Sequence, residues 1–474
     1  MSKLSDPVPA DSGHPAGAEE LDSGHLGRTQ LVSLALASSI PAVGIAIVPM
    51  LLFSSVGLAA LPAAVLSALA VISIGLAVIF FAKRCVATGS LYSYVGEVYG
   101  PWARYITGGA LLVGFVVLTA ALSGIIGIFF GSFLASLGME GALSLGPQVA
   151  IYAGAIGIGI YVPFRGLDTS VRTAVVLAVI SMPLVTVVTV ASAFHTGLDL
   201  TQQFDFATLT PDGVLQGVAA GAAFLMGFES CAAMAAETRD PKRNIPLAVM
   251  SIPVVLGVIF IGCTLLQVPG LNEASDYLAK GMSPTAALAL NAGLGTWVAD
   301  ATDLVLAAAT FACLIGYINY GARFLLTLGD DGLLPEKVTS IHHKFRSPHV
   351  AISTLGILGF VTIVAMLIAT GSPADAYNAI ATLVVYVWVL PYLLIVSGTI
   401  VLLIKERVFR PVLIAACLFG GATMAWCFIN GVVNPPLPPV DTMTWVALVV
   451  VPIFTAILVL NRTLSARRAR ASTN

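Results

Sequence analysis

Apolar stretches of about 20 residues, separated by short clusters that hold nearly all the charge, run along this sequence from residue 31 to residue 463. About 20 residues is the length an α-helix needs to cross a hydrocarbon core of about 30 Å. Inside lipid, backbone N–H and C=O groups find no water, so a chain patterned this way is confined to spanning helices. Composition argues against a soluble globule. Of the side chains, 58% are hydrophobic and 10% charged, against about 25% charged in an average soluble domain.

Reading the apolar runs between charge, Gly/Pro and polar breaks gives helices near 31–56, 59–82, 102–136, 147–164, 170–194, 213–236, 246–269, 299–327, 348–370, 377–404, 410–430 and 441–463. The fold class is therefore an all-α membrane protein of twelve transmembrane helices. An even number of spans puts both termini on one side. Of the 22 Lys and Arg, all but Lys280 fall on that side. Basic residues concentrate on the cytoplasmic face of membrane proteins, so both termini are expected there, in a multi-pass protein of the cell membrane. The stretch 1–30 is polar and lacks a basic region followed by an apolar run and a cleavage site, so it reads as a disordered cytoplasmic tail rather than a signal peptide. Residues 464–474 form a basic cytoplasmic tail near anionic headgroups. The six cysteines show no CxxC or CxxxC spacing, which argues against a disulfide framework or a metal site.

The polar segment His195 to Asp212 divides the first ten helices into two sets of five. The first repeat then covers 31–212, the second 213–404, and two further helices 405–463. Both sets open with a Gly- or Pro-interrupted helix. The first span holds Ser38-Ser39-Ile40-Pro41-Ala42-Val43-Gly44, and the sixth holds Gly221 to Gly227 followed by Phe228-Glu229. Transporters built on inverted repeats break their helices near the midplane, and irregular backbone at that depth lines a cavity or is buried in protein. Small residues that merely let helices pack closely are the plainer alternative. Glu229 favours the broken-helix reading, because a carboxylate at such depth is costly and marks a functional position.

The segment from Glu229 through Glu237-Thr238-Arg239-Asp240-Pro241-Lys242-Arg243-Asn244-Ile245-Pro246 resembles the signature of the amino acid/polyamine/organocation (APC) superfamily. Its members carry a GFE element in helix 6 and then an E-[ET]-x-[ND]-P-x-[RK]-[ND]-[IV]-P loop. Gly89-Ser90-Leu91-Tyr92-Ser93-Tyr94 with Gly100 resembles the family's GGxYxY…G element, and Ala322-Arg323 with Asp330-Asp331-Gly332-Leu333-Leu334-Pro335 resembles its aR…DGxxP element. The resemblance covers roughly residues 31–463. It implies a LeuT-type five-plus-five inverted repeat with two added C-terminal helices, and a secondary active permease working by alternating access. It places the solute between helices 1 and 6, at Ser39, Ile40, Ala42, Val43, Gly44, Ala223, Phe224, Met226 and Gly227. Glu237 is expected to pair with Arg239, Lys242 or Arg243 of its own loop.

Several positions depart from the family pattern. Aligned on Pro49, Ala42-Val43-Gly44 stand where members commonly have GSG, and Pro41 is the residue able to supply the break instead. Ala223 stands where some antiporters have a Trp that stacks on the substrate, which argues against a guanidinium-bearing solute. Ser181 occupies the place of a helix-5 Lys found in several sodium-independent members. It reads as a sodium ligand or as a packing residue. Glu229 leads as the proton-coupling group, since a carboxylate withdrawn from water can exchange a proton in the working pH range.

These residues point to import of a small amino acid, neutral or apolar, with H+ as coupling ion and a sodium-coupled (Na+) carrier or an exchanger as the alternatives. No other cofactor, and no nucleic acid, is expected; the partners are the solute and the lipid bilayer. A polyamine or small-amine permease would need acidic side chains near its pocket, and Glu229 and Asp303 are the acids available, Asp303 reading as a helix-entry residue. A membrane enzyme is disfavoured by the lack of HExxH, GxSxG, GKS/T and GxGxxG motifs, a channel by the lack of a filter segment. A solute sensor that has lost transport remains a further alternative.

Overall fold

The computed structural model describes residues 24–39 and 41–472. Within them, twelve helical segments are long and apolar enough to cross a membrane. The first is split into α1a (Arg28–Ser38) and α1b (Pro41–Val56). Next come α2 (Leu61–Ala82), α3 (Pro101–Ser136), α4 (Leu145–Phe164) and α5 (Leu167–Thr196). The sixth is split into α6a (Pro211–Ala223) and α6b (Phe228–Glu237). The remainder are α7 (Pro241–Glu273), α8 (Thr296–Asp330), α9 (His349–Thr370), α10 (Pro373–Lys405), α11 (Pro411–Val433) and α12 (Met443–Ser472). Among the described residues the only β-pairing is one bridge, between Leu26 and Thr238.

Packing partners exchange when the labels advance by five. α3 lies along α8, α9 and α10, while α8 lies along α3, α4 and α5. Likewise α2 packs on α6a and α7, and α7 packs on both parts of α1 and on α2. Because five is odd, the second set crosses the membrane in the opposite sense to the first, as in an inverted repeat. Within the best apolar window of each span, α3 is 89% buried and α8 72%, against 28% for α4, α11 and α12. The centre is therefore α3, α8 and the broken helices, and α11 and α12 stand at the perimeter. Glycines allow the closest approaches: Gly109 lies against Thr455 of α12, and Gly114 lies under the indole of Trp388.

The two breaks have separate causes. Pro41 offers no N–H and its ring excludes a continuous turn, so α1a stops at Ser38 and α1b starts at Pro41. Gly227 has φ +76°, a left-handed conformation that costs other residues energy. After it, α6b is wound as a 3-10 helix, tighter than the α-helix the apolar run predicts over 213–236.

The face carrying the termini is cross-linked by ion pairs. The carboxylate of Glu237 accepts from Arg323 of α8 at 2.6 and 2.9 Å, with both side chains 2% exposed. Arg323 also donates to the backbone and side-chain oxygens of Asn319. The expectation that Glu237 pairs within its own loop is thus corrected. α6b turns it inward to α8, whereas Arg239 is exposed. Asp331 accepts from Tyr92 at 2.6 Å and from Arg104 at 2.8 Å, and Arg84 is paired with Glu406. Residues 1–23 of the expected disordered tail lie outside the described residues. The rest of it is structured: Leu26 is fully buried, donating to the Glu237 carbonyl at 2.8 Å and accepting from the Arg239 N–H at 2.9 Å, and α1a begins at Arg28.

Removing one partner of a buried ion pair strands the other charge. We expect Arg323→Leu to cost about 3–5 kcal/mol of stability, and Glu237→Leu added to it to restore most of that loss. Thermal unfolding in detergent checks this; equal melting temperatures for wild type and the single variant would contradict it.

Candidate functional site

A cavity of about 90 Å³ lies where the two broken helices face each other. Ser38 and Ser39 line it from the end of α1a, and Ala223, Phe224 and Met226 from the α6 break. α3 contributes Leu118, Ala121, Leu122 and Ile125; α8 contributes Cys313 and Tyr317; α10 contributes Tyr377, Ala381 and Val384. The α3 residues come from its middle and second half and the α10 residues from its first, so the cavity leans away from the face carrying the termini.

Interruption of a helix frees backbone groups that lipid cannot satisfy. At α6 the answering groups are aromatic. The Tyr317 hydroxyl donates to the Met226 carbonyl at 3.3 Å. The Tyr392 hydroxyl accepts from the Gly227 N–H at 2.8 Å and donates to the Glu229 carboxylate at 2.6 Å. The Trp388 indole N–H donates to the other oxygen of Glu229 at 2.8 Å. Glu229 is 1% exposed and stands in the first turn after the break, facing α10 rather than lining the cavity. It is coupled to the break through Tyr392, which touches both its carboxylate and the Gly227 amide.

At α1, Ser38 and Ser39 donate back to the carbonyls of Leu34 and Ala35, at 2.7 and 2.9 Å. The Ser38 hydroxyl also accepts from Tyr320 at 3.2 Å. The first-turn N–H groups of α1b have no partner four residues earlier within that helix, and they form its positive end.

Of the expected solute-site residues, Ser39, Ala223, Phe224 and Met226 line the cavity, and Gly227 shapes it without lining it. Ile40 lies outside the described residues. The side chains of Ala42 and Val43 are fully buried within α1b, and an added Cβ at Gly44 would come within 2.2 Å of the Phe260 ring. The side chains of Ala42 and Val43 and the α-carbon of Gly44 therefore pack within the bundle rather than line the cavity, because Pro41 sets the break ahead of them. Ser181 is 1% exposed and donates to the Ala178 carbonyl of its own helix at 2.8 Å, away from the cavity. Asp303, also outside the cavity, accepts from Ser283 at 2.6 Å and so ties α8 to the short helix Pro284–Asn291. Sequence reading missed Tyr317, Trp388 and Tyr392. Trp388 and Tyr392 stand four residues apart, on one helix face, and two aromatic hydrogen-bond donors so spaced in an apolar span were the available signal.

A membrane-spanning bundle with two facing helix breaks and a small cavity between them defines a solute carrier rather than an enzyme. The profile of the amino acid permease family matches residues 26–459, and the chain belongs to that family. It is similar to a branched-chain amino acid permease of Lactococcus lactis subsp. cremoris, with 24% identity over 58% of this chain and 61% of the relative. A serine/threonine exchanger of Bacillus subtilis is 26% identical over 66% of this chain and 69% of its own length. A methylthioribose transporter of the same species is 21% identical over 60% and 63%. The alignments thus span less than two thirds of the length of the first and third of these relatives.

Gly227→Ala should strain the left-handed turn by about 1–3 kcal/mol and press a methyl group to 2.9 Å from the Tyr317 hydroxyl. Gly262→Ala, at a helical position where an added Cβ meets nothing within 4 Å, is the control. We expect lower melting temperature and lower uptake for the first variant and neither loss for the second. Equal behaviour of the two would contradict the role given to Gly227.

Proposed function

We propose that this protein imports a small neutral or apolar amino acid across the cell membrane by alternating access, with both termini cytoplasmic and with proton coupling through Glu229. The observation that carries the substrate class is the cavity lining. It consists of Ser, Ala, Leu, Ile, Val, Phe, Met, Cys and Tyr side chains and holds no acid, Lys, Arg or His. A cationic polyamine or guanidinium would meet no countercharge there, since Glu229 is turned to Trp388 and Tyr392 and Asp303 to Ser283.

A free amino acid brings its own charges, and the broken helices offer complementary ends. The α-carboxylate suits the positive N-terminus of α1b, and the ammonium suits the carbonyl end of α6a at Ala223. The side chain is then left against Leu122, Ile125 and Phe224. The relatives named for branched-chain amino acids and for serine/threonine are in keeping with a neutral solute.

Proton coupling is argued from connectivity. Gain or loss of a proton at Glu229 changes what Tyr392 must donate, and Tyr392 also holds the Gly227 amide at the break. Sodium coupling has less support, because Ser181 is buried away from the cavity. The even span count and the placement of Lys and Arg support the cytoplasmic assignment of the termini.

Two assays in proteoliposomes test the reading. In competition, unlabelled leucine, valine, alanine and serine should displace a labelled neutral amino acid, while arginine and putrescine should not. Glu229→Gln should abolish uptake driven by an imposed proton gradient and leave solute exchange measurable. Displacement by the cations would overturn the substrate class, and an unaltered response to the proton gradient in Glu229→Gln would overturn the coupling.

A further inference from the structure

Away from the central cavity, a second concavity opens where α2 ends and α11 begins. It is a groove of about 670 Å³ whose lining includes Leu76, Ile79, Phe80, Lys83, Arg84 and Arg410. Phe409, Val412 and Leu413 complete it on the α11 side. The groove therefore has an apolar wall along two spanning helices and cations at the level where those helices leave the membrane, on the face carrying the termini.

Two of its three cations have no ion-pair partner among the described residues. Arg84 is committed to Glu406, whose second oxygen accepts from Arg84 at 2.8 Å, and its guanidinium sits 4.0 Å from the centre of the Phe80 ring. This hydrogen bond to Arg84 holds Glu406 below the ordinary carboxylate range, so the pair stays charged. Among the described residues, Lys83 and Arg410 make no ion pair. Arg410 caps α11 without a side-chain hydrogen bond, and α11 starts with Pro411, so the N–H groups of Val412 and Leu413 are open to an anion. Beside these charges Phe409 is 81% exposed and Val412 77% exposed. Large apolar side chains exposed next to unpaired cations match a ligand that is itself half apolar and half anionic.

We propose that this groove binds an anionic phospholipid of the leaflet on the face carrying the termini. The headgroup phosphate lies among Lys83, Arg410 and the first N–H groups of α11, and an acyl chain runs along Leu76, Ile79 and Leu413. Juxtamembrane Lys and Arg attract acidic lipid electrostatically; here the open helix end and the apolar wall add shape to that attraction. Because α2 packs on α7 and on α11, an occupant of this groove touches a helix of the moving ten-helix core and a helix of the perimeter together.

The test uses the full-length protein, delipidated in neutral detergent, with binding read by native mass spectrometry. Phosphatidylglycerol and phosphatidylcholine with identical chains are the probes, and glycerol phosphate is the competitor. We expect phosphatidylglycerol to bind at least about tenfold more tightly than phosphatidylcholine at low salt, with the difference shrinking as salt rises. Lys83→Gln with Arg410→Gln should weaken phosphatidylglycerol about thirtyfold and leave phosphatidylcholine unchanged, whereas Lys83→Arg with Arg410→Lys should keep the preference. If the double variant loses the wild-type melting temperature, each single substitution, expected to cost about fivefold, replaces it. Equal affinity for the two lipids, unchanged phosphatidylglycerol binding in the Gln variants, or displacement by glycerol phosphate at the lipid's own concentration would each overturn the proposal. The last result would mean a site for free phosphate esters.

Discussion

A helix interrupted within a membrane survives only if its released amide and carbonyl groups are answered by other parts of the protein, because hydrocarbon offers them nothing. In this permease the answer at α6 comes from α8 and α10. Tyr317 takes the Met226 carbonyl, and Tyr392 takes the Gly227 amide and donates to Glu229, which Trp388 also holds. The arrangement reaches further than the break itself. Trp388 gets close to Glu229 because α3 presents Gly114 beneath its ring, where an added Cβ would lie 2.6 Å away. The central helix α3, the broken helix α6 and the α10 face are thereby committed to one another.

The face carrying the termini and the cavity are held differently. Toward the termini lie the Leu26 clasp, the Glu237–Arg323 pair and the Asp331 junction. Around the cavity itself, Leu122, Ile125 and Val384 give an apolar lining. Polar locks are discrete and geometry-dependent, whereas apolar surfaces slide at smaller cost. A carrier that exposes one site alternately to two sides needs at least one face whose closure is all-or-none. The three sequence elements noted separately before the structure converge on that locked face: Tyr92 of the first and Asp331 of the third share a hydrogen bond, and Glu237 of the second meets Arg323 of the third.

Much of this was legible in the chain. Apolar length gave the span count, charge clusters gave the boundaries to within a few residues except at the end of α12, which continues through the basic stretch to Ser472, and Pro41 and Gly227 marked the breaks, because each acts on its own backbone. What escaped depends on distant partners. Glu237 and Arg323 are 86 residues apart, and Glu229 and Tyr392 are 163 apart; no local pattern says which buried carboxylate meets which donor. That Ala42, Val43 and Gly44 pack instead of lining the cavity has a related reason. Alignment on Pro49 transfers a family's register, but the chain breaks where its own Pro41 forces it to. Leu118 and Ile125 of the cavity look in sequence like any other residues of an apolar helix, and hydropathy carries no record of which way they face.

The central claim is that the space between the two broken helices is the path of the solute. It is tested most directly at Ala223, which lines the cavity and is partly exposed. In a background with the six native cysteines replaced, Ala223→Cys should react with a small water-soluble thiol reagent in proteoliposomes, and a transported neutral amino acid should slow that reaction in proportion to site occupancy. A labelling rate that no transported solute changes would place the path elsewhere and contradict the account.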